Sequence, residues 1–216
     1  MRSQLTLAIL PTLASLCTVS SADDTRAPLS YASIPANVYT PPKANTTLTI
    51  LDLVESRPEL SMLLSVMQQP AGFAQAFDTQ PTWSFTFFAP SNTAFENLGE
   101  YYSTFASTAK GKWWLGNLLT HHYIPNSVLK STSFSTTASR IQTGNYLFIG
   151  AQVVNGATLL NNVSRVTEAD IPVTSGVVHI IDTLLDPSAQ IFNGDLPRVS
   201  QAFIPGSCAN PLLSYC

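Results

Sequence analysis

Phe85-Thr86-Phe87-Phe88-Ala89-Pro90-Ser91-Asn92-Thr93-Ala94-Phe95 begins as a strand and ends as a helix. Trp83, Phe85 and Phe87 fall on one face of an extended chain, and Ser84, Thr86 and Phe88 on the other. A strand that is aromatic on both faces belongs in the middle of a sheet, covered on each side. Pro90 cannot donate a ladder hydrogen bond and holds Ala89 extended, so the strand stops there. Ser91 or Asn92 can then accept from free backbone N–H groups and open a helix whose apolar side carries Phe95 and Leu98. Nothing in the stretch has the chemistry of a nucleophile, a base or a metal ligand.

The segment Phe88 to Phe95 closely resembles the first signature of fasciclin domains. Gly176-Val177-Val178-His179-Ile180-Ile181-Asp182 resembles the second, and Leu118-Leu119-Thr120-His121-His122-Tyr123-Ile124-Pro125, between them, looks like the family's tyrosine-histidine segment. The resemblance runs from about Asn45 to Pro187. It implies an α+β fold, a wedge of two small β-sheets flanked by short helices, in a single-domain secreted protein of the fungal type. It also implies that Phe88, Ala89, Pro90, Asn92, Phe95, His122, Gly176, Val178, His179 and Asp182 support the fold, and that the protein works in adhesion.

Composition sets independent bounds. Arg2 followed by the apolar run from Leu5 to Val19, with Ser20-Ser21-Ala22 behind it, reads as a signal peptide, 1–22. The run is too short and too broken by Pro11 for a membrane span. The chain carries 10 basic and 13 acidic residues, net −3, and loses Arg2 with the leader, which argues against nucleic acid as a partner. Charged residues make up 11%, against roughly a quarter in ordinary domains, so the surface is polar through Ser, Thr, Asn, Gln or attached sugar. Asn45-Thr46-Thr47 and Asn162-Val163-Ser164 are sequons for N-glycosylation. Of three cysteines, Cys17 leaves with the signal peptide. The even remainder in an oxidising compartment predicts a Cys208–Cys216 disulfide, with free or intermolecular thiols as the alternative.

Along the chain, 23–44 is a Pro-rich extended leader, 45–187 the folded domain and 188–216 a tail. Leu48, Leu51 and Val54 predict a first helix to about Glu55. Ser56-Arg57-Pro58-Glu59 has the form of a capping box for a second, striped by Leu60, Leu63, Leu64 and Met67. A helical turn or two is expected around Phe73 and Phe77, an irregular segment over Tyr101 to Gly111, and a helix over Lys112 to Tyr123. Ser131 to Ser139 reads as loop or edge strand. From Ile141 the period becomes 2: Tyr146 to Val154 is a strand region broken at Gly150, Asn155-Gly156 a hairpin turn, and Thr158–Leu160, Val163–Thr167, Ile171–Thr174 and Val177–Ile181 further strands. Helices first and strands later again means α+β. The end of the chain lacks the apolar tail of a lipid-anchor signal.

The candidate chemistry is thin. His121 and His122, about 100° apart on a helix, do not chelate one metal; His122 faces inward and His121 elsewhere. His179 sits mid-strand with Asp182 on the opposite face, and Gly-x-Ser-x-Gly, Gly-x-Gly-x-x-Gly and Walker patterns are all missing. Neither a catalytic residue nor a cofactor or metal site is expected. The resemblance draws attention to Asp170-Ile171, since an Asp-Ile pair in animal fasciclin proteins is linked to integrin binding; Pro172 and its surroundings differ, and the plain reading is a solvated acidic turn. The expected protein is a secreted glycoprotein, extracellular or wall-associated. It binds extracellular matrix, cell wall polysaccharide or a cell-surface protein, with self-association or two binding faces. The alternatives are a secreted hydrolase of wall polymers and a carrier of a small apolar ligand.

Overall fold

Thr49 caps the first helix of the fold. Its hydroxyl accepts from the Asp52 N–H at 3.1 Å, and its own N–H donates to the Asp52 carboxylate at 3.0 Å; this reciprocal box opens α1, Ile50–Ser56. The computed structural model describes residues 43, 46–70, 72–188 and 199–201, all within one compact unit. The expected signal peptide at 1–22, Asn45, Cys208 and Cys216 lie outside the described residues.

The box expected at Ser56 does not form. The Ser56 hydroxyl turns back to the Leu53 carbonyl at 2.7 Å, and Arg57 leads into a 3₁₀ turn, Pro58–Leu60, that runs on into α2, Ser61–Gln68. The stripe is as read: Leu60, Leu63 and Met67 are fully buried. Gly72, at φ 87°, turns the chain into α3, Phe73–Phe77. Then comes β1, Phe85–Pro90, buried at all six positions. The following helix, α4, Asn92–Glu96, is shorter than expected; Phe95 is buried, but Leu98 lies beyond its end and is 40% exposed.

The segment expected to be irregular contains α5, Tyr102–Ser107. Thr108 then caps α6, Ala109–His121, by accepting from the Gly111 N–H at 2.9 Å. A β-carbon on Gly111 would stand 1.9 Å from the Phe105 carbonyl oxygen, so only glycine lets the two helices meet at this corner. After α6 come β2, Tyr123–Pro125, a 3₁₀ turn at Ser131–Ser133, and the strands β3, Ser139–Gln142; β4, Phe148–Val154; β5, Ala157–Leu160; β6, Ser164–Val173; and β7, Gly176–Ile181. Gly150 does not break β4: its N–H donates to the Asn161 side chain and its carbonyl accepts the Asn161 N–H, so a turn residue replaces the missing strand partner. Asn155 and Gly156, at φ 51° and 79°, make the hairpin expected of that dipeptide. The two strands predicted at 163–174 are one strand, β6, bent where its register against β7 shifts between Val166 and Ile171, with Asp170 at φ 62°.

The strand order is β2-β1-β7-β6-β5-β4-β3. β1 lies parallel to β7 and the other pairs are antiparallel. β6 pairs with β7 over most of its length and with β5 at its start, and so joins the strands into one seven-stranded sheet where two small sheets were expected. With short helices flanking it, the fold is α+β. β1 separates two cores: Phe87 and Ala89 join Leu53, Leu63, Leu115 and Val178 on the helical side, and Phe88 joins Ile124, Phe134, Ile141 and Ile149 on the other.

Candidate functional site

The signature residues are taken up in joints between elements. Asn92 does not cap its own helix. Its carboxamide oxygen accepts the Met62 N–H at 2.9 Å, and its NH₂ donates to the Pro58 carbonyl and the Ser61 hydroxyl at 3.1 and 3.0 Å. It therefore caps α2 from across the fold. Pro90 ends β1 against Ile181. Gly176 opens β7 so close to β1 that a β-carbon would stand 2.6 Å from the Phe85 carbonyl oxygen. The Asp182 carboxylate accepts the Arg165 N–H at 2.8 Å and ties the end of β7 to β6.

His122 is the C-cap of α6 and is buried. Its Nδ1–H donates to the Leu118 carbonyl at 2.8 Å and its Nε2 accepts the Leu185 N–H at 3.0 Å. That pattern needs the neutral ring, and burial pushes its pKa down to about 3. His179 is neutral in the other tautomer: Nε2–H donates to the Leu129 carbonyl at 2.8 Å, while Nδ1 accepts the Asp170 N–H at 3.2 Å. Burial lowers its pKa as well. Phe88 stacks on this ring at 5.5 Å and Phe134 meets it edge-on at 6.1 Å. His121, on another face of α6, is buried too, its Nδ1 near the Thr143 hydroxyl and the Asn145 carboxamide. Among the described residues, no three His, Cys, Asp or Glu side chains gather closely enough to hold a metal ion.

Asp170 is placed differently from a solvated turn. Its carboxylate accepts both the N–H and the hydroxyl of Ser131, which hold its pKa below the usual carboxylate range against the opposing effect of burial. Ile171, next to it, is buried. The pair braces the loop before β3. Asn162 is exposed in the turn between β5 and β6 at φ 59°.

A cleft of about 290 Å³ opens between α3, the start of β1 and the end of α6, and its walls are Phe73, Phe77, Trp83, Phe85 and Tyr123 with Ile50, Ala76 and Pro81. The rings form a connected set: Phe73 to Phe77 at 6.0 Å, Phe77 to Tyr123 at 6.3 Å, and Phe85 stacked on Tyr123 at 5.3 Å. Trp83 is 49% exposed at the rim and donates its indole N–H to the Tyr123 oxygen at 2.8 Å. Burial lifts the Tyr123 pKa to about 12, so its phenol keeps its proton. The sequence held two signals for this cleft, the Trp83/Phe85 alternation and the i, i+4 pair Phe73/Phe77. Both also fit an ordinary core, and Tyr123 arrives from a distant helix end.

The fasciclin domain profile matches residues 58–187. Transforming growth factor-beta-induced protein ig-h3 of Sus scrofa is 29% identical over 154 residues, which is 70% of this chain but 20% of that protein. Protein sll1483 of Synechocystis is 26% identical over 149 residues, 66% of this chain and 76% of that one. Aurofusarin biosynthesis cluster protein S of Gibberella zeae is 34% identical over 93 residues, 40% of this chain and 23% of that protein. The chain thus spans about a fifth of the pig protein and under a quarter of the Gibberella one. Among solved structures, a domain pair of the insect cell adhesion molecule fasciclin I matches with a TM-score of 0.53 at 19% identity, covering 64% of this chain and 50% of that one.

Proposed function

This chain belongs to the fasciclin domain family, and from that premise we propose that it is a secreted glycoprotein that works by binding to extracellular matrix, cell wall polysaccharide or a cell-surface protein, without turnover. The observation that carries this reading is the use to which the signature side chains are put. His122, His179, Asn92 and Asp182, and outside the signatures Asp170 as well, place side-chain polar atoms on backbone groups of neighbouring elements. A general base must instead face a space where a substrate can sit. Exposed Asn162 in its sequon adds a surface position for sugar. No described helix is long and apolar enough to cross a membrane.

Retention of the purified glycoprotein on intact cells and on isolated wall or matrix material, at low and high salt, tests the reading. Saturable retention that is competed by soluble wall polymer, or lost on enzymatic removal of N-glycans, is the expected result. Retention no greater than that of an inert secreted protein would remove adhesion as the function.

A further inference from the structure

We propose that the aromatic cleft between α3, β1 and α6 is a binding site for one small, neutral, planar aromatic molecule that carries a hydrogen-bond acceptor. The proposal goes beyond surface adhesion and does not depend on it. Size comes first. An apolar cavity of about 150 Å³ holds a benzene, and drug-sized ligands occupy roughly 300–1,000 Å³. At about 290 Å³, the cleft is the size of a one- or two-ring molecule and too small for a folded partner's surface.

Charge comes next. None of the lining side chains is ionisable except the Tyr123 phenol, which burial keeps protonated. A charged ligand would be desolvated here without a counter-charge. Aromatic walls favour an aromatic guest, since ring pairs add about 0.5–1.5 kcal/mol beyond the area they bury.

The polar edge then fixes the guest's functional group. The lining hydroxyls of Thr79 and Thr120 are committed to the carbonyls of Gln75 and Gly116, each at 2.6 Å. The Tyr123 oxygen already accepts from Trp83. The lining hydroxyl whose proton is not yet given away is that of Tyr123, which meets no acceptor among the described residues. A ligand carbonyl or ether oxygen would take it. Trp83 at the rim and Ala76, exposed on α3, mark the mouth.

The test titrates the full chain, by calorimetry, with 2-acetylnaphthalene, whose ketone accepts a hydrogen bond, and with naphthalene, which cannot. One saturable site is expected for each. Tyr123→Phe alone frees the Trp83 N–H to donate in its place, so the decisive variant is the pair Trp83→Phe/Tyr123→Phe, which keeps aromatic walls and removes both donors. It should weaken the ketone about 10-fold and change naphthalene by less than about two-fold, the scale of one hydrogen bond. Ala76→Trp, a substitution at an exposed helix position that fills the mouth, should abolish both. Three results would each overturn the proposal: no saturable binding, binding indifferent to Ala76→Trp, or a donor-less variant that weakens both ligands alike. A concentration-dependent dimer dissolved by Ala76→Trp would give the cleft to a second copy of the chain and overturn it too.

Discussion

His122 shows what a buried histidine can do without chemistry. The ring joins the end of α6 to the chain after β7 through two hydrogen bonds, one given and one received, and protonation would abolish the second. Its pKa is near 3 in the fold against an ordinary value of 6.5. The unfolded chain therefore binds the proton first as pH falls. The stability held by this group is complete above about pH 6.5 and is lost progressively down to about pH 3, with a limiting slope of roughly 1.4 kcal/mol per pH unit. Burial lowers the pKa of His179 and of His121 as well, so the wild-type slope is not specific to His122. The specific comparison is His122→Gln, measured by urea unfolding at pH 7, 6, 5 and 4. The variant should be less stable at pH 7 and should lose close to one proton's worth of slope. An unchanged slope would mean that His122 takes up its proton as readily in the fold as in the unfolded chain.

At the scale of elements, the informative residue is Asn92. It begins one helix and caps another, and the second role gives it three hydrogen bonds against none for its own cap. Removing an N-cap side chain costs about 0.5–2 kcal/mol, and Asn92→Ala also strands the Met62 N–H in a part-buried place. The expected loss is therefore towards the upper end, about 2 kcal/mol, read as a lowered urea midpoint at constant m-value. Asn92→Asp, which keeps the acceptor and loses the NH₂, should fall between. A loss under about 0.5 kcal/mol, the floor for a cap, would show that water replaces the side chain.

Asn92 also marks where the sequence can be read and where it cannot. The aromatic strand, the Pro90 stop, the α2 stripe and the Asn155-Gly156 hairpin are local patterns, and the fold has them where periodicity puts them. The local pattern offers Ser91 or Asn92 as a cap, and Asn92 instead serves a partner 30 residues away. The same limit explains α5, whose corner depends on Gly111 meeting the Phe105 carbonyl. It explains Asp170 as well, a turn by sequence and a brace by virtue of Ser131, 39 residues distant. The aromatic cleft is the least legible, since its walls come from five separate elements, α1, α3, β1, α6 and β2, and each aromatic residue fits a core equally well.

At the scale of the whole domain, β1 and β7 have opposite faces in different cores. Phe87 and Val178 pack with the helices, while Phe88 and Ile181 pack with the β-hairpins. A chain with two cores could melt in two steps. Here the cores share the two central strands, paired along six residues, so neither can loosen without releasing the backbone of the other. This predicts a single cooperative transition, and the tryptophans make it testable. Trp83 lines the cleft and Trp114 packs against the helical core, so indole fluorescence reports on the helical side. Ile149→Ala, fully buried on the opposite side, should cost about 2–5 kcal/mol. Under shared cooperativity it moves the fluorescence transition by the same amount as the far-ultraviolet dichroism transition. Were the cores independent, Ile149→Ala would leave the fluorescence midpoint in place.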